Sequence, residues 1–304
     1  MFAPPPVIET RPFADINARY GITDRDSEWA GLLFGRPDTP SFLEGPSFDR
    51  DGNLWLVDVA RGRLFRISSD AEIEMVCAYK GEPNGLAFHK DGHGIIADHY
   101  HGLMRLDPAT GSVEPHLVRQ GNERFRGTND LTFASNGDLY FTDQGTSDLI
   151  DRTGCVFCLR ADGRLELVCA DLPSPNGLVL SADEKMLYVG LTRDNAVWRM
   201  RLNAHGRADQ VGCTMRLSGG TGPDGMAADA DGNILVCHVG FGAIWVFGPT
   251  GEPIYRINSC AGPLMTNCAY GGPDNRTLFI TESSSGQVLT ADMPVPGRML
   301  YSHI

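Results

Sequence analysis

The chain has 304 residues, 42% of them hydrophobic, and a formal net charge of −12. That composition is ordinary for a globular protein and is enough for a large core. Acidity without a Lys/Arg cluster argues against nucleic acid, and no stretch approaches the roughly 18 apolar residues of a membrane helix.

In chain order, the opening "MFAPPPVIETRPF" has no basic region followed by an apolar one. No signal peptide is expected, and a cytoplasmic location follows as the default. Residues 1–40 read as an irregular, Pro-rich extension, part of which is expected to complete the last structural unit. Six related segments follow: "EGPSFDRDGNLWLVD", "PNGLAFHKDGHGIIAD", "TNDLTFASNGDLYFTD", "PNGLVLSADEKMLYVG", "PDGMAADADGNILVCH" and "TNCAYGGPDNRTLFIT". Each is an apolar run, a tight turn and a second apolar run, the pattern of a hairpin. A third strand follows in every copy, for example "GRLFRI" and "GAIWVF", and a less regular fourth in several.

The segments align on Glu44, Asn84, Asn129, Asn176, Asp224 and Asn267, and subtracting these numbers gives steps of 40, 45, 47, 48 and 43. Four-stranded units repeating at this period predict an all-β fold, a six-bladed β-propeller, as one domain over residues 1–304. "DRDGN" and "DADGN" resemble the front of a calcium-binding helix-loop-helix loop but lack its remainder, so they read as hairpin turns. Cys155 and Cys158 form a C-x-x-C within a strand-like run, which puts them on opposite faces and makes them structural thiols. His99 and His101 share a strand face, but no further zinc ligands can be placed beside them.

In a propeller the first strand of each blade lines the central channel. The six aligned positions are therefore expected to ring one mouth, with Asp58, His99, Asp143, Thr192, His238 and Glu282 on the loops above them. The ring offers two carboxylates and four carboxamides, an oxygen-only set that suits a hard cation such as Ca²⁺ or Mg²⁺. Two acids converging on a channel without a cation would repel each other.

With all six segments present in this order, the chain resembles the SMP-30/gluconolactonase family over roughly residues 40 to 290. The resemblance implies a metal-dependent lactonase with one divalent ion in the channel, calcium first, with Mg²⁺, Mn²⁺ or Zn²⁺ as substitutes. It implies Glu44, Asn176 and Asp224 as ligands and Asp224 as the catalytic acid/base or nucleophile. Asn129 is implied as a substrate contact, and Asn84, His99 and His238 are candidates to line the substrate. Animal members carry an Arg two residues before the third-blade Asn, where this chain has Gly127.

The expected reaction is opening of a lactone, with a sugar lactone as the family default. The expected partner is thus a small molecule, with no nucleic acid and no membrane. A metal-bound carboxylate is a weak base, so Asp143 or His238 stay open as proton acceptors beside Asp224. Two other functions fit the same pattern: a phosphotriesterase on the same metal, or a propeller used only as a binding scaffold.

Overall fold

The computed structural model describes residues 4–21 and 26–304; residues 1–3 and 22–25 of the N-terminal extension lie outside the described residues. Six four-stranded antiparallel blades form a six-bladed β-propeller. Their inner strands are Leu43–Phe48, Pro83–Phe88, Thr128–Phe133, Pro175–Leu180, Gly222–Ala228 and Met265–Gly271, in blades I to VI. The outer strand of blade VI is supplied by Arg11–Asp15, antiparallel to Gln287–Asp292. Val7–Glu9 adds a parallel fifth strand to blade V, on Pro253–Asn258. The N-terminal extension thus joins the last two blades, and it covers two edges that would otherwise present unpaired backbone groups.

Burial follows the radius. Leu43–Phe48 and Leu54–Asp58 are buried throughout, whereas the outer Ile73–Ala78 is half exposed. The core lies between blades rather than at a single centre. Trp55, Val57 and Leu64 of blade I, for example, pack on Leu86, Phe88 and Ile96 of blade II. The two sequences that mimic a calcium loop are hairpin turns. Asp49 accepts from the backbone N–H of Asp51 and Asn53, and Asp229 does the same for Asp231 and Asn233. Cys155 and Cys158 are free thiols, half-buried and buried respectively.

All six inner strands share one irregularity, a register shift just inside the strand start. Bulges of this kind re-aim side chains. The pairing also fixes which residues are equivalent. Leu43, Pro83, Thr128, Pro175, Pro223 and Met265 stand opposite Asp58, Asp98, Asp143, Leu191, His238 and Glu282. The next residues inward are Glu44, Asn84, Asn129, Asn176, Asp224 and Thr266. Alignment on Asn267 is therefore one residue out in blade VI, where the shared Thr-Asn of "TND" and "TNC" conceals the slip. Asn267 belongs to a second layer with Gly45, Gly85, Asp130, Gly177 and Gly225.

Glycine dominates that layer because neighbouring inner strands nearly touch there. A Cβ on Gly177 would lie 2.3 Å from the Asp224 carbonyl oxygen, and one on Gly225 would lie 2.1 Å from the Asn267 carboxamide. Gly225→Ala is accordingly expected to cost about 1–3 kcal/mol of stability, the usual range for overpacking a close contact. Urea denaturation of the variant beside Gly212→Ala, where a Cβ meets nothing within 4 Å, measures this.

Candidate metal centre at the channel mouth

Clamps at the inner-strand starts position the site. In four blades the acid ending the second strand accepts the N–H of the residue just before the inner strand. Asp58 takes Phe42 N at 2.7 Å, Asp98 takes Glu82 N at 3.0 Å, Asp143 takes Gly127 N at 2.7 Å and Glu282 takes Leu264 N at 3.1 Å. These carboxylates hold the strand entries and do not line the mouth. Asp143, a candidate proton acceptor from sequence, also accepts from Arg126 N at 3.1 Å and acts as one of these clamps.

Glu44, Asn84, Asn129, Asn176 and Asp224 all line one cavity of about 240 Å³ at this mouth, together with His99. His238, expected here, is elsewhere. Its Nε2 is 2.8 Å from Gly219 O, its Nδ1 accepts from Trp245 Nε1 at 3.2 Å, and its ring stacks on Phe241. With both nitrogens occupied inside blade V, it is a packing residue. Thr192, also expected on the rim, turns its hydroxyl to the Pro223 carbonyl. His101 does not join His99, since its Nε2 lies 2.7 Å from Lys80 O.

Sequence reasoning missed Asp130. It occupies the second layer, where four of its five equivalents are small glycines, and its buried carboxylate reaches the axis. An acid in a column of glycines is the signal in the sequence, and the Asn129 beside it, which matches the repeat, conceals it. Asn267 ties the cluster together. Its Nδ2 lies 3.1 Å from Glu44 Oε2 and 3.4 Å from Asp130 Oδ2. Glu44 Oε2 also accepts from Gly45 N at 3.1 Å.

Three buried carboxylates thus converge without a side-chain cation among their described hydrogen-bond and ion-pair partners. Burial, then the neighbouring Asp224 and Asp130, push the Glu44 carboxyl well above its ordinary range. Burial lifts Asp224 to about 7, against a hydrogen bond from Asn176, and lifts Asp130 to about 6. Asn129 adds an unpaired acceptor. Its Nδ2 donates to Gln144 Oε1 at 2.9 Å, Gln144 Nε2 donates to Ser174 Oγ at 2.9 Å, and Asn129 Oδ1 is buried with no partner. An orphaned carboxamide oxygen, a second carboxamide and paired carboxylates in one cavity fit a hard divalent cation in Glu44, Asn129, Asn176 and Asp224.

His99 is the remaining polar group. It is largely buried, and burial lowers its pKa below the usual histidine value, so the ring is neutral at pH 7. No side-chain hydrogen bond engages it among the described residues. Gly127 makes its position feasible, since a Cβ there would lie 2.4 Å from His99 Cε1. An Arg at position 127 could not coexist with this ring.

The fold and the site define a six-bladed propeller whose channel mouth carries an oxygen-only cluster of acids and carboxamides. Residues 42–284 match the family model described as the SMP-30/gluconolactonase/LRE-like region, and the chain belongs to that family. Among its relatives, a protein named gluconolactonase from Zymomonas mobilis is 32% identical, with 79% of this chain and 76% of that one covered. Lactonase drp35 from Staphylococcus aureus strain MW2 is 34% identical, covering 71% of this chain and 69% of its own. A calcium-binding regucalcin from Agrobacterium tumefaciens has the same fold at a TM-score of 0.79, with 22% identity and all of both chains covered. A gluconolactonase structure from Xanthomonas campestris superposes at a TM-score of 0.74, with 23% identity and coverage of 84% of this chain and 86% of that one.

The raised carboxyls set a direction for pH dependence. Asp130 and Asp224 start from 3.8 when unfolded and sit at about 6 and about 7 when folded. The cation-free native state therefore binds more protons than the unfolded state between about pH 4 and 7, and this cluster's contribution to stability falls as pH rises through that window. A cation competing for the same oxygens binds weakly at pH 5 and tightly at pH 8. The gap in Tm between calcium-loaded and chelated protein is expected to widen from pH 5 to pH 8. Thermal melts across that range, with and without chelator, check it.

Proposed function

We propose that this protein is a metal-dependent hydrolase that opens a lactone ring at the channel mouth. The observation that carries the reading is the buried trio Glu44, Asp130 and Asp224 beside the unpaired Asn129 oxygen. A scaffold gains nothing from like charges buried without compensation, because each one costs folding free energy. The names of two relatives, gluconolactonase and lactonase, supply the reaction class.

Glu44, Asn176 and Asp224 would hold the cation, with Asn129 completing the set or meeting the substrate. Calcium is the ion we favour, from the all-oxygen donors and from what the regucalcin relative is described as binding. When bound, such an ion neutralises the converging acids, polarises the lactone carbonyl and makes a nearby water more acidic.

The chain's own residues do the rest. Asn129, braced by Gln144 and Ser174, presents a fixed acceptor to a substrate hydroxyl. Asn84 offers a donor and an acceptor on the adjoining wall. Asp224 is the proton acceptor we assign, since its carboxylate lies within the cavity whereas Asp143 and His238 are engaged elsewhere. His99, neutral and in the same wall, is a substrate contact. The name of one relative, gluconolactonase, makes a sugar lactone one compound to test beside lactones without hydroxyls.

Asp224→Asn and Glu44→Gln are each expected to reduce kcat/KM by at least about 100-fold and to abolish the calcium-dependent rise in Tm. Chelated wild-type protein is expected to be inactive and to recover on adding calcium. A pH-indicator assay on a lactone panel with and without chelator makes the measurement, and phosphotriesters in the same panel test the other metal-clamp chemistry. Full activity in either variant, or in chelated protein, overturns the assignment.

A further inference from the structure

The wall facing the carboxamides is apolar, and a helix of the N-terminal extension provides it. Helix α1 (Glu28–Phe34) starts at Ser27, whose side chain accepts from Ala30 N at 3.2 Å, and ends at Gly35 in the left-handed region, φ +65°. One side docks on blade I, where Trp29 and Ala30 pack with Val59 and Ala60. The anchor is specific: Ser27 N donates to Pro37 O, and the Arg61 side chain reaches Thr39 O. Trp29, Phe34 and Phe42 then form a cluster with ring centroids 5.0–5.4 Å apart.

This cluster and Leu33 line the same cavity as Glu44, Asn129 and Asp224. Leu33 and Phe34 remain 52% and 49% exposed, so the wall is apolar surface left facing solvent at the entrance to a polar site. Burying that surface against a ligand is favourable. A ligand hydroxyl pressed against it loses its water and gains no partner. The far rim is polar, with Asn84, His99, Gln144 and Arg193, and the Arg193 side chain has no ion pair among the described residues.

We infer that α1 is a selectivity wall, and that this site takes lactones carrying an apolar substituent, an alkyl chain or aryl group, in preference to fully hydroxylated sugar lactones. This refines the proposed lactonase activity and rests on it. The lactone ring sits at the acids and carboxamides, and its substituent lies along Leu33, Phe34 and Phe42.

The test compares kcat/KM for δ-valerolactone, δ-decalactone and D-glucono-δ-lactone, in wild-type protein and in the double variant Leu33→Ser, Phe34→Ser. Wild-type protein is expected to favour δ-decalactone over D-glucono-δ-lactone by at least about tenfold, chiefly through KM. In the double variant the ratio for δ-decalactone over δ-valerolactone is expected to fall about tenfold, with the calcium-dependent rise in Tm retained. Preference for the sugar lactone, or a ratio the double variant leaves unchanged, overturns the inference. If no lactone is turned over, the lactonase reading fails, and binding of the non-hydrolysable lactams decides the wall by itself. Tighter binding of the alkyl lactam than the polyhydroxylated one, lost in the double variant, supports it; equal binding overturns it.

Discussion

Like charge at the propeller axis is the constraint around which the rest of the structure is organised. Glu44, Asp130 and Asp224 come from three different blades, far apart in sequence, and are buried together. In water they would ionise independently. At the axis, burial raises the cost of ionising each, and neighbouring acids add to it for Glu44 and Asp224. Such a cluster persists only if something holds it open and something else offsets its charge. The offset available within the described chain is slight: Asn267 bridging two of the acids, and Asn176 donating to the third.

What holds the cluster open is a frame of repeated, individually modest interactions. The acids at the ends of the second strands pin four of the six inner-strand entries through a backbone N–H. The bulge that follows turns the next side chain toward the channel. Glycines beneath it let adjacent inner strands approach to distances that no Cβ would tolerate. The inter-blade apolar clusters then fix the blades relative to one another. The site is thus carried on strand ends backed by packed sheets, which gives it the rigidity that preorganised chemistry needs.

The same frame separates carboxylates by role. Asp58, Asp98, Asp143 and Glu282 are satisfied by backbone donors and stabilise the scaffold. Glu44 and Asp130 accept one backbone N–H each, from Gly45 and Leu131, and neither they nor Asp224 has an ion-pair partner among the described residues. Two acids on adjacent strands of one blade can therefore have opposite purposes, and residue type does not distinguish them. Hydrogen-bond partners do, as the displacement of Asp143 and His238 from the list of proton acceptors illustrates. The apolar side of the mouth has a different origin again. It is built from the extension that precedes the repeat, so it can vary without disturbing the ring.

The sequence by itself determined the repeat, the blade number and most of the first ring. Those features are written in local patterns: a strand-turn-strand unit that recurs, and an aligned position that varies between Asn, Glu and Asp. Local patterns also supported the hairpin reading of "DRDGN" and "DADGN", because an Asp that caps its own turn needs no distant partner. Only the tertiary structure decided what depends on strand register and on contacts between blades. The one-residue shift that puts Asn267 in the second layer follows from its pairing with Thr281, which the repeated Thr-Asn conceals. Asp130 comes close to Glu44 and Asp224 only because three inner strands converge on the axis. The aromatic wall exists because residues 28–34 fold over blade I, a long-range contact that no periodicity in the repeat encodes. Side-chain direction at a bulge and packing of a non-repeating segment are set by neighbours distant in sequence, and there a one-dimensional reading ends.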